Sequence, residues 1–373
     1  MMVCLIWQVK IKKSATADFF YWFYITFLSY SVIMSDLFEK LLIIRTPKIG
    51  PVRYAELISK FGGVSAVVES MNIGEEFRDT IMQEMEFAHR NNIHYISDDS
   101  DLYPQRLREL KNHPPIITAR GNIDVLRKQM VSIVGTRHAT ATGMGFVADI
   151  AQKFAENNVA VVSGMAIGTD TAAHRGALRA PGNAQTIAVL AGGVDYIWPL
   201  ENESLYWEIV ERGCIISEMP VGFVPVATNF VQRNRWVAGL SDTLILGEAD
   251  LKSGSMTTAR FAIDFGRDVW AIPSHPADLR ALGPNSLIRS GDAKLCLGVQ
   301  DFFETSKKDV KKNKISEKND SENNLIDLIG SVPVSESVLA QLVKKTVSEI
   351  KADLVVLELQ GLVRKVDGGY VRM

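Results

Sequence analysis

The spacing of apolar positions changes along the chain, and each change marks a different kind of element. From Ser35 to about Ala88 the apolar residues fall at helical intervals, with Leu37, Leu41 and Leu42 and later Tyr54, Leu57 and Ile58 on common faces. Pro47-Lys48-Ile49-Gly50-Pro51 and Phe61-Gly62-Gly63 interrupt this pattern, which predicts short helices joined by glycine-containing hairpins. Such a module either touches a DNA backbone through hairpin amides or serves as a protein contact or lid, and the pattern leaves both open. Tyr95 to Gly121 reads as a connector, because helices do not run through Tyr103-Pro104 or His113-Pro114-Pro115.

Beyond it, short apolar runs at Val131–Val134, Val159–Val162, Thr186–Leu190, Cys214–Ile216, Thr243–Leu246 and Val269–Ile272 alternate with helical patterns such as Gly143–Asn157 and Thr257–Phe265. Near-continuous Val, Ile and Leu strands are what a sheet buried on both faces requires. The prediction is an α/β domain with a doubly wound, mostly parallel, extended Rossmann-like sheet and right-handed crossovers. The tail returns to helical spacing through Leu339, Leu342, Val343, Ile350, Leu354 and Leu357, then places strand-like runs on either side of Gly368-Gly369. Helices followed by a hairpin predict a winged-helix-like module.

The expected organisation is therefore an N-terminal extension over 1–33, a small helical SAM/helix-hairpin-helix-like module with its connector over 35–112, the α/β domain over 113–305, a linker over 306–324 and the winged-helix-like module over 325–373. The linker reading rests on six lysines between Lys307 and Lys318 among polar neighbours. In the extension, Lys10, Lys12 and Lys13 precede the aromatic run from Phe19 to Leu28, which superficially resembles a signal or anchor. The run from Phe19 to Met34 spans 16 residues and includes Ser and Thr, short of the roughly 20 apolar residues a spanning helix needs. Translation is expected to begin at Met34, with no membrane partner.

Composition narrows the function classes. With 47% hydrophobic residues in 373, the chain is neither disordered nor collagen-like, and Cys4, Cys214 and Cys296 are too isolated for a disulfide or metal framework. A reducing, cytoplasmic setting is expected. The 41 basic and 43 acidic side chains exclude capture of polyanions by bulk positive charge. The stretch 121–305 carries 15 basic and 19 acidic residues and the tail 6 of each, so a nucleic-acid partner has to be held by a local site rather than by the tail.

In an open parallel sheet that site lies beyond the carboxyl ends of the strands. Here those ends run into Gly135-Thr136-Arg137, into Ser163-Gly164 and on to Gly168-Thr169-Asp170, into Ala191-Gly192-Gly193, and into Gly247-Glu248 and on to Lys252-Ser253-Gly254-Ser255. Glycines let backbone N–H groups approach an anion, hydroxyls add donors, and Arg137 and Lys252 supply charge. A phosphate-binding surface is the expectation. Gly143-Met144-Gly145-Phe146-Val147-Ala148 has the spacing of a dinucleotide fingerprint but starts eight residues beyond the strand, with Ser163 rather than an acid twenty residues on. The loop from Gly247 to Ser253 imitates a P-loop without its second glycine, so ATP hydrolysis is not expected. Asn229-Phe230-Val231-Gln232-Arg233-Asn234-Arg235-Trp236 places two arginines between aromatics just before a predicted helix, a pairing suited to phosphates and unstacked bases.

Gly135-Thr136-Arg137, Ser163-Gly164, Gly168-Thr169-Asp170, Ala173-His174-Arg175-Gly176, Pro199-Leu200-Glu201-Asn202, Ser217-Glu218, Phe230 with Arg233-Asn234-Arg235, and Lys252-Ser253-Gly254-Ser255 recur in this order in DprA/Smf proteins, which the chain resembles densely from Val131 to Phe303. The resemblance implies an extended Rossmann fold that binds single-stranded DNA without sequence preference, forms a homodimer and helps load RecA in natural transformation and recombination, with single-strand-binding protein a further candidate partner and no cofactor. It implies that Gly135, Thr136, Arg137, Ser163, Gly164, Gly168, Phe230, Arg233, Asn234 and Arg235 line the phosphate pocket, with Lys252, Ser253 and Gly254 beside it. Family members usually carry proline where this chain has Val231, which leaves the path of that segment open. The competing reading is an enzyme of the lysine-decarboxylase-like phosphoribohydrolase group, with Asp170 and His174 as an acid–base pair; the Gly-Gly-x-Gly-Thr-x-x-Glu signature of that group is absent.

Overall fold

The computed structural model describes residues 36–182, 185–305, 325–330 and 333–373. The expected N-terminal extension and lysine-rich linker lie outside the described residues. The chain forms two compact units, divided between residues 305 and 306.

The first unit is built on a nine-stranded sheet: β1 (Ile93–Ser97), β2 (Ile116–Gly121), β3 (Gln129–Val134), β4 (Val159–Ser163), β5 (Thr186–Val189), β6 (Cys214–Ser217), β7 (Thr243–Leu246), β8 (Asp268–Ala271) and β9 (Lys294–Leu295), in the order β1-β2-β6-β5-β4-β3-β7-β8-β9. From β6 to β9 every pairing is parallel. The crossover helices are α6 (Ala141–Glu156), α7 (Thr169–Leu178), α8 (Glu203–Arg212), α9 (Ala227–Gly239), α10 (Gly254–Asp264) and α11 (Leu282–Ser290), and α12 (Val299–Thr305) follows β9. All residues of β4, β5, β6 and β7 are buried, because helices cover both faces. Alternate side chains serve the two layers: Val131 and Ile133 pack with Phe154 of α6, while Met130 and Val134 pack with Trp236 of α9 and Ala259 of α10. All six strands expected in this region are present.

The segment read as a connector does more than connect. It contributes β1 and β2, paired antiparallel with Ile93 opposite Arg120, and β2 runs antiparallel to β6. The prolines that argued against a helix sit in the loop between the two strands, together with the short α5 (Gln105–Arg108). The helices ahead of them, α1 (36–45), α2 (Pro51–Phe61), α3 (Val64–Ser70) and α4 (Glu75–Arg90), enclose Leu41, Leu42, Ile43, Val67 and Ile81 and share that core with Ile116 of β2. Arg45 forks onto Glu84 at 2.9–3.2 Å, and the Tyr95 hydroxyl donates to the same carboxylate at 3.0 Å. Lys40 Nζ reaches Ser97 Oγ at 2.7 Å and Asp99 at 3.0 Å. The helical module is thus fastened to β1 and to the turn that follows it.

The second unit holds α13 (Glu336–Val343), α14 (Val347–Leu359) and the hairpin of β10 (Val363–Val366) and β11 (Gly369–Arg372). Thr346 and Glu349 form a capping box at the start of α14, and Ile329, Leu339, Ile350, Leu354, Val363 and Tyr370 make the core. Helix, helix and hairpin in this order form the winged helix expected. Among the described residues no helix is long and apolar enough to cross a membrane.

Candidate functional site

From β3 the chain winds outward through β4, β5 and β6, then returns past β3 to β7. The loops after β3 and β7 therefore diverge, and this is where an open α/β sheet usually holds a phosphate-bearing ligand. In this chain the protein's own carboxylates occupy the habitual cradles. Glu248 caps α6: its Oε2 accepts the Thr140 N–H at 2.7 Å and its Oε1 the Thr140 hydroxyl at 2.5 Å. A Cβ on Gly143 would lie 2.7 Å from the same carboxylate, so the glycine of the fingerprint-like run makes room for Glu248 rather than for a pyrophosphate. In the loop from β4 to α7, Asp170 Oδ2 accepts the backbone N–H groups of Gly164 and Ala166, each at 3.2 Å.

Arg233 completes this interior. It lies in the second turn of α9, 6% exposed, and its guanidinium donates to the carbonyl oxygens of Gly164 and Val189, the latter at 2.6 Å, at the ends of β4 and β5. A Cβ on Gly164 would meet that guanidinium at 2.7 Å, which accounts for the Ser-Gly pair after β4. Burial lowers the Arg233 pKa to about 10, with Asp170 opposing and Arg137 adding to the shift; Arg233 remains charged at neutral pH. Burial also pushes the Asp170 carboxyl up, against the attraction of Arg233 and the two N–H donors. Ser163 is fully buried, its hydroxyl donating to Ile133 O at 2.7 Å.

The segment from Phe230 to Arg235 was expected just ahead of a helix and instead lies inside α9, which begins directly after Pro225-Val226. Val231 points outward at this position and is exposed, so the missing proline leaves the helix intact. Helical spacing then separates the residues of this run. Phe230 and Arg233 line the hollow over β4 and β5. Asn234 accepts from Arg233 Nε at 3.2 Å and approaches Gly254, and Arg235 lies over the Trp236 ring at 5.2 Å.

Above the closed interior is an open rim. Exposed Arg137 lies over the Trp198 ring at 5.2 Å, and Trp198 meets Phe230 edge to face with centroids 4.4 Å apart. Gly164, Gly192, Tyr196, Trp198, Pro225, Phe230 and Arg233 surround a hollow of only about 10 Å³, room for one water-sized group. A base cannot be swallowed there; it can lie on the aromatic wall. Lys252 is exposed on the loop after β7, and Ser253 caps α10, its hydroxyl accepting from Met256 N–H at 3.3 Å. Thr136 N–H donates to Glu248 O at 2.6 Å and Thr169 N–H to Thr136 O at 3.2 Å, so the loops after β3, β4 and β7 are tied together. Gly168 holds a φ of +83° with Thr136 O 2.5 Å from where its Cβ would be, a close approach only glycine allows.

The acid–base pair considered above does not reach this rim. Asp170 is 6% exposed and His174 fully buried, with His174 Nδ1 2.8 Å from Thr186 Oγ1. The Thr186 hydroxyl also lies within hydrogen-bond distance of Val161 O, and burial followed by the Arg233 charge pushes the His174 pKa down to about 3. A neutral, enclosed imidazole neither meets a substrate nor takes up a second proton at neutral pH. Sequence reasoning missed Trp198 and Tyr196; the aromatic residues crowded around Pro199, at a strand-to-helix passage, were the available signal.

A Rossmann-like sheet with a cationic, aromatic rim, followed along the chain by a winged helix, defines a class of nucleic-acid-handling α/β protein. The family model of DNA recombination-mediator protein A matches residues 94–307, and that of the DprA winged helix domain residues 311–369; the chain belongs to this family. It is 30% identical to Protein Smf of Escherichia coli over 343 residues, 86% of this chain and 91% of that one. It is 38% identical to Protein Smf of Synechocystis over 223 residues, a match that spans 59% of this chain but only 56% of that relative. The solved structure of DNA processing protein A from Streptococcus pneumoniae superposes with a TM-score of 0.61 at 29% identity, covering 72% of this chain and 97% of that one. For the Helicobacter pylori protein, studied for its single-stranded DNA binding mode, the TM-score is 0.52 at 32% identity, covering 58% of this chain and 97% of that one.

Proposed function

We propose that this chain binds single-stranded DNA without sequence preference on the rim at the strand ends, and that as a homodimer it hands the strand to RecA during recombination and transformation. The observation that carries the reading is the Arg137–Trp198–Phe230 cluster beside a hollow too small to enclose a base. Stacking on an open wall tolerates any base and requires an unpaired one. Arg137, Lys252 and Arg235 supply phosphate contacts, Phe230 and Trp198 the stacking surface. Gly135, Thr136, Ser163, Gly164, Gly168, Arg233, Asn234, Ser253 and Gly254 shape and brace the floor.

A polarisation titration tests it, with single-stranded, duplex and mononucleotide ligands. Single strands bind at least tenfold more tightly than duplex, and affinity falls with salt by about 0.7 log units per phosphate neutralised. Equal affinity for duplex overturns the reading. Arg137→Ala weakens binding by about 1.5–3 kcal/mol through the lost charged hydrogen bond, with the fold intact. For the partner, the chain is added to RecA and strands covered by single-strand-binding protein. Faster filament assembly supports the hand-over, and an unchanged rate removes it.

A further inference from the structure

The rim occupies the carboxyl ends of the strands, and a second recess lies at the other end of the sheet. A cleft of about 340 Å³ opens at the amino ends of β3 and β7, where Gln129, Met130 and Asp242 form part of its lining. That volume falls within the roughly 300–1,000 Å³ that small-molecule sites occupy. The floor is apolar and belongs to the core: Tyr103, Leu126, Met130 and Leu240 are all buried.

Cations gather on the walls. Arg106, Arg108, Arg127 and Lys128 line the cleft against two carboxylates, Asp101 and Asp242, a local positive excess in a chain of net charge −2. Two of the four are engaged by the protein itself. Arg108 Nε donates to Asp98 O at 2.7 Å and Nη2 to Ser100 O at 2.6 Å, which holds the guanidinium over the Tyr103 ring at 5.7 Å. Arg106 bridges Glu109, at 3.0 Å, and Asp242. Arg127 and Lys128, at the close of the short 3-10 turn Ile123–Arg127, have no ion pair among the described residues. Two adjacent unpaired cations attract a single dianionic group, and the apolar floor beside them accepts a ring. Asp101 and Asp242 repel a run of phosphates, so the cleft is unsuited to a nucleic-acid backbone, yet they accept N–H donors from a ligand. We propose that this cleft is a second ligand site, independent of the rim, for a free nucleoside monophosphate whose phosphate is held by Arg127 and Lys128 and whose base lies on the floor.

Calorimetric titration of the full-length chain with dAMP, deoxyadenosine and inorganic phosphate provides the test. One dAMP should bind per chain, about tenfold or more tightly than either fragment, because only the whole nucleotide uses both cations and floor. Arg127 is exposed, Lys128 half-buried and neither is paired, so Arg127→Gln with Lys128→Gln removes charge without breaking an ion pair. This double variant should lose about tenfold or more in dAMP affinity at unchanged melting temperature and unchanged single-strand affinity. Each single variant should lose part of it, which keeps the proposal testable if the double variant fails to fold. Arg137→Ala should leave dAMP binding intact. The proposal is overturned if no dAMP binds, or if inorganic phosphate binds as tightly as dAMP. It is equally overturned if Arg137→Ala abolishes dAMP binding while the double variant retains it, since the nucleotide would then occupy the rim.

Discussion

Two places in this molecule are where their folds usually meet phosphates, the strand ends of the α/β sheet and the second helix of the winged helix, and neither does so in the usual way. At the strand ends, Glu248 and Asp170 fill the backbone cradles, and the exposed chemistry moves outward to Arg137, Trp198 and Phe230. On α14 the exposed residues Val355, Val356 and Leu359 are aliphatic. The same topologies carry different functions because side chains, not folds, define sites. Here the α/β unit presents charge and aromatic faces, while the winged helix presents exposed aliphatic side chains.

The contrast between closed interior and open rim is broken most severely at Asp170. Asp170→Ala leaves the Gly164 and Ala166 N–H groups unsatisfied and Arg233 without its opposing charge, and should lower unfolding stability by about 2–5 kcal/mol. Chemical denaturation measures this, and a loss below 1 kcal/mol would mean that water replaces the carboxylate. Glu218, after β6, is pushed up to about 7 chiefly by burial, opposed by Trp236, Gln232 and Arg235. Between its unfolded value and about 7 the folded chain keeps a proton that the unfolded chain has lost. Its contribution to stability therefore declines as pH rises through that window and stays low above it. Glu218→Gln should match the parent at pH 4 and exceed it by about 3 kcal/mol at pH 8, read from denaturation midpoints; parallel curves would show that Glu218 is solvated.

Smaller effects sharpen the rim. Trp198→Ala should weaken single-strand binding by about 1–2 kcal/mol through lost stacking, with little change in its salt slope. Arg137→Ala should reduce that slope by about 0.7. If both variants changed the slope alike, Trp198 would act by positioning Arg137 rather than by stacking. The least effect is expected on the other unit, where Lys351→Glu should change affinity less than threefold, about 0.6 kcal/mol. A tenfold loss would show that α14 meets the strand.

The parallel core was legible because six buried strands each announce themselves as an apolar run. The edge strands were not: β1 buries only Ile93 and Ile96 of its five residues, and β9 has two residues, both exposed. At the site, the glycine-rich loops pointed to the correct end of the sheet but not to what fills them. Sequence spacing cannot tell that Gly143 faces Glu248 or that Gly164 faces Arg233, since these partners lie about 70 residues or more apart. Arg233 and Arg137 look alike as letters; helical phase in α9 turns Arg233 inward under the β4 and β5 carbonyls, whereas Arg137 lies exposed in the turn after β3.

The cross-links among the loops after β3, β4 and β7, through Thr136, Thr169 and Glu248, bear on how fast a strand is captured. A surface already held in its binding geometry has little ordering left to do on contact. Association should then be governed by encounter, in a single kinetic phase whose rate rises in proportion to strand concentration and drops as salt screens the rim. Differences between strands of different sequence would appear in how long each stays rather than in how quickly it arrives.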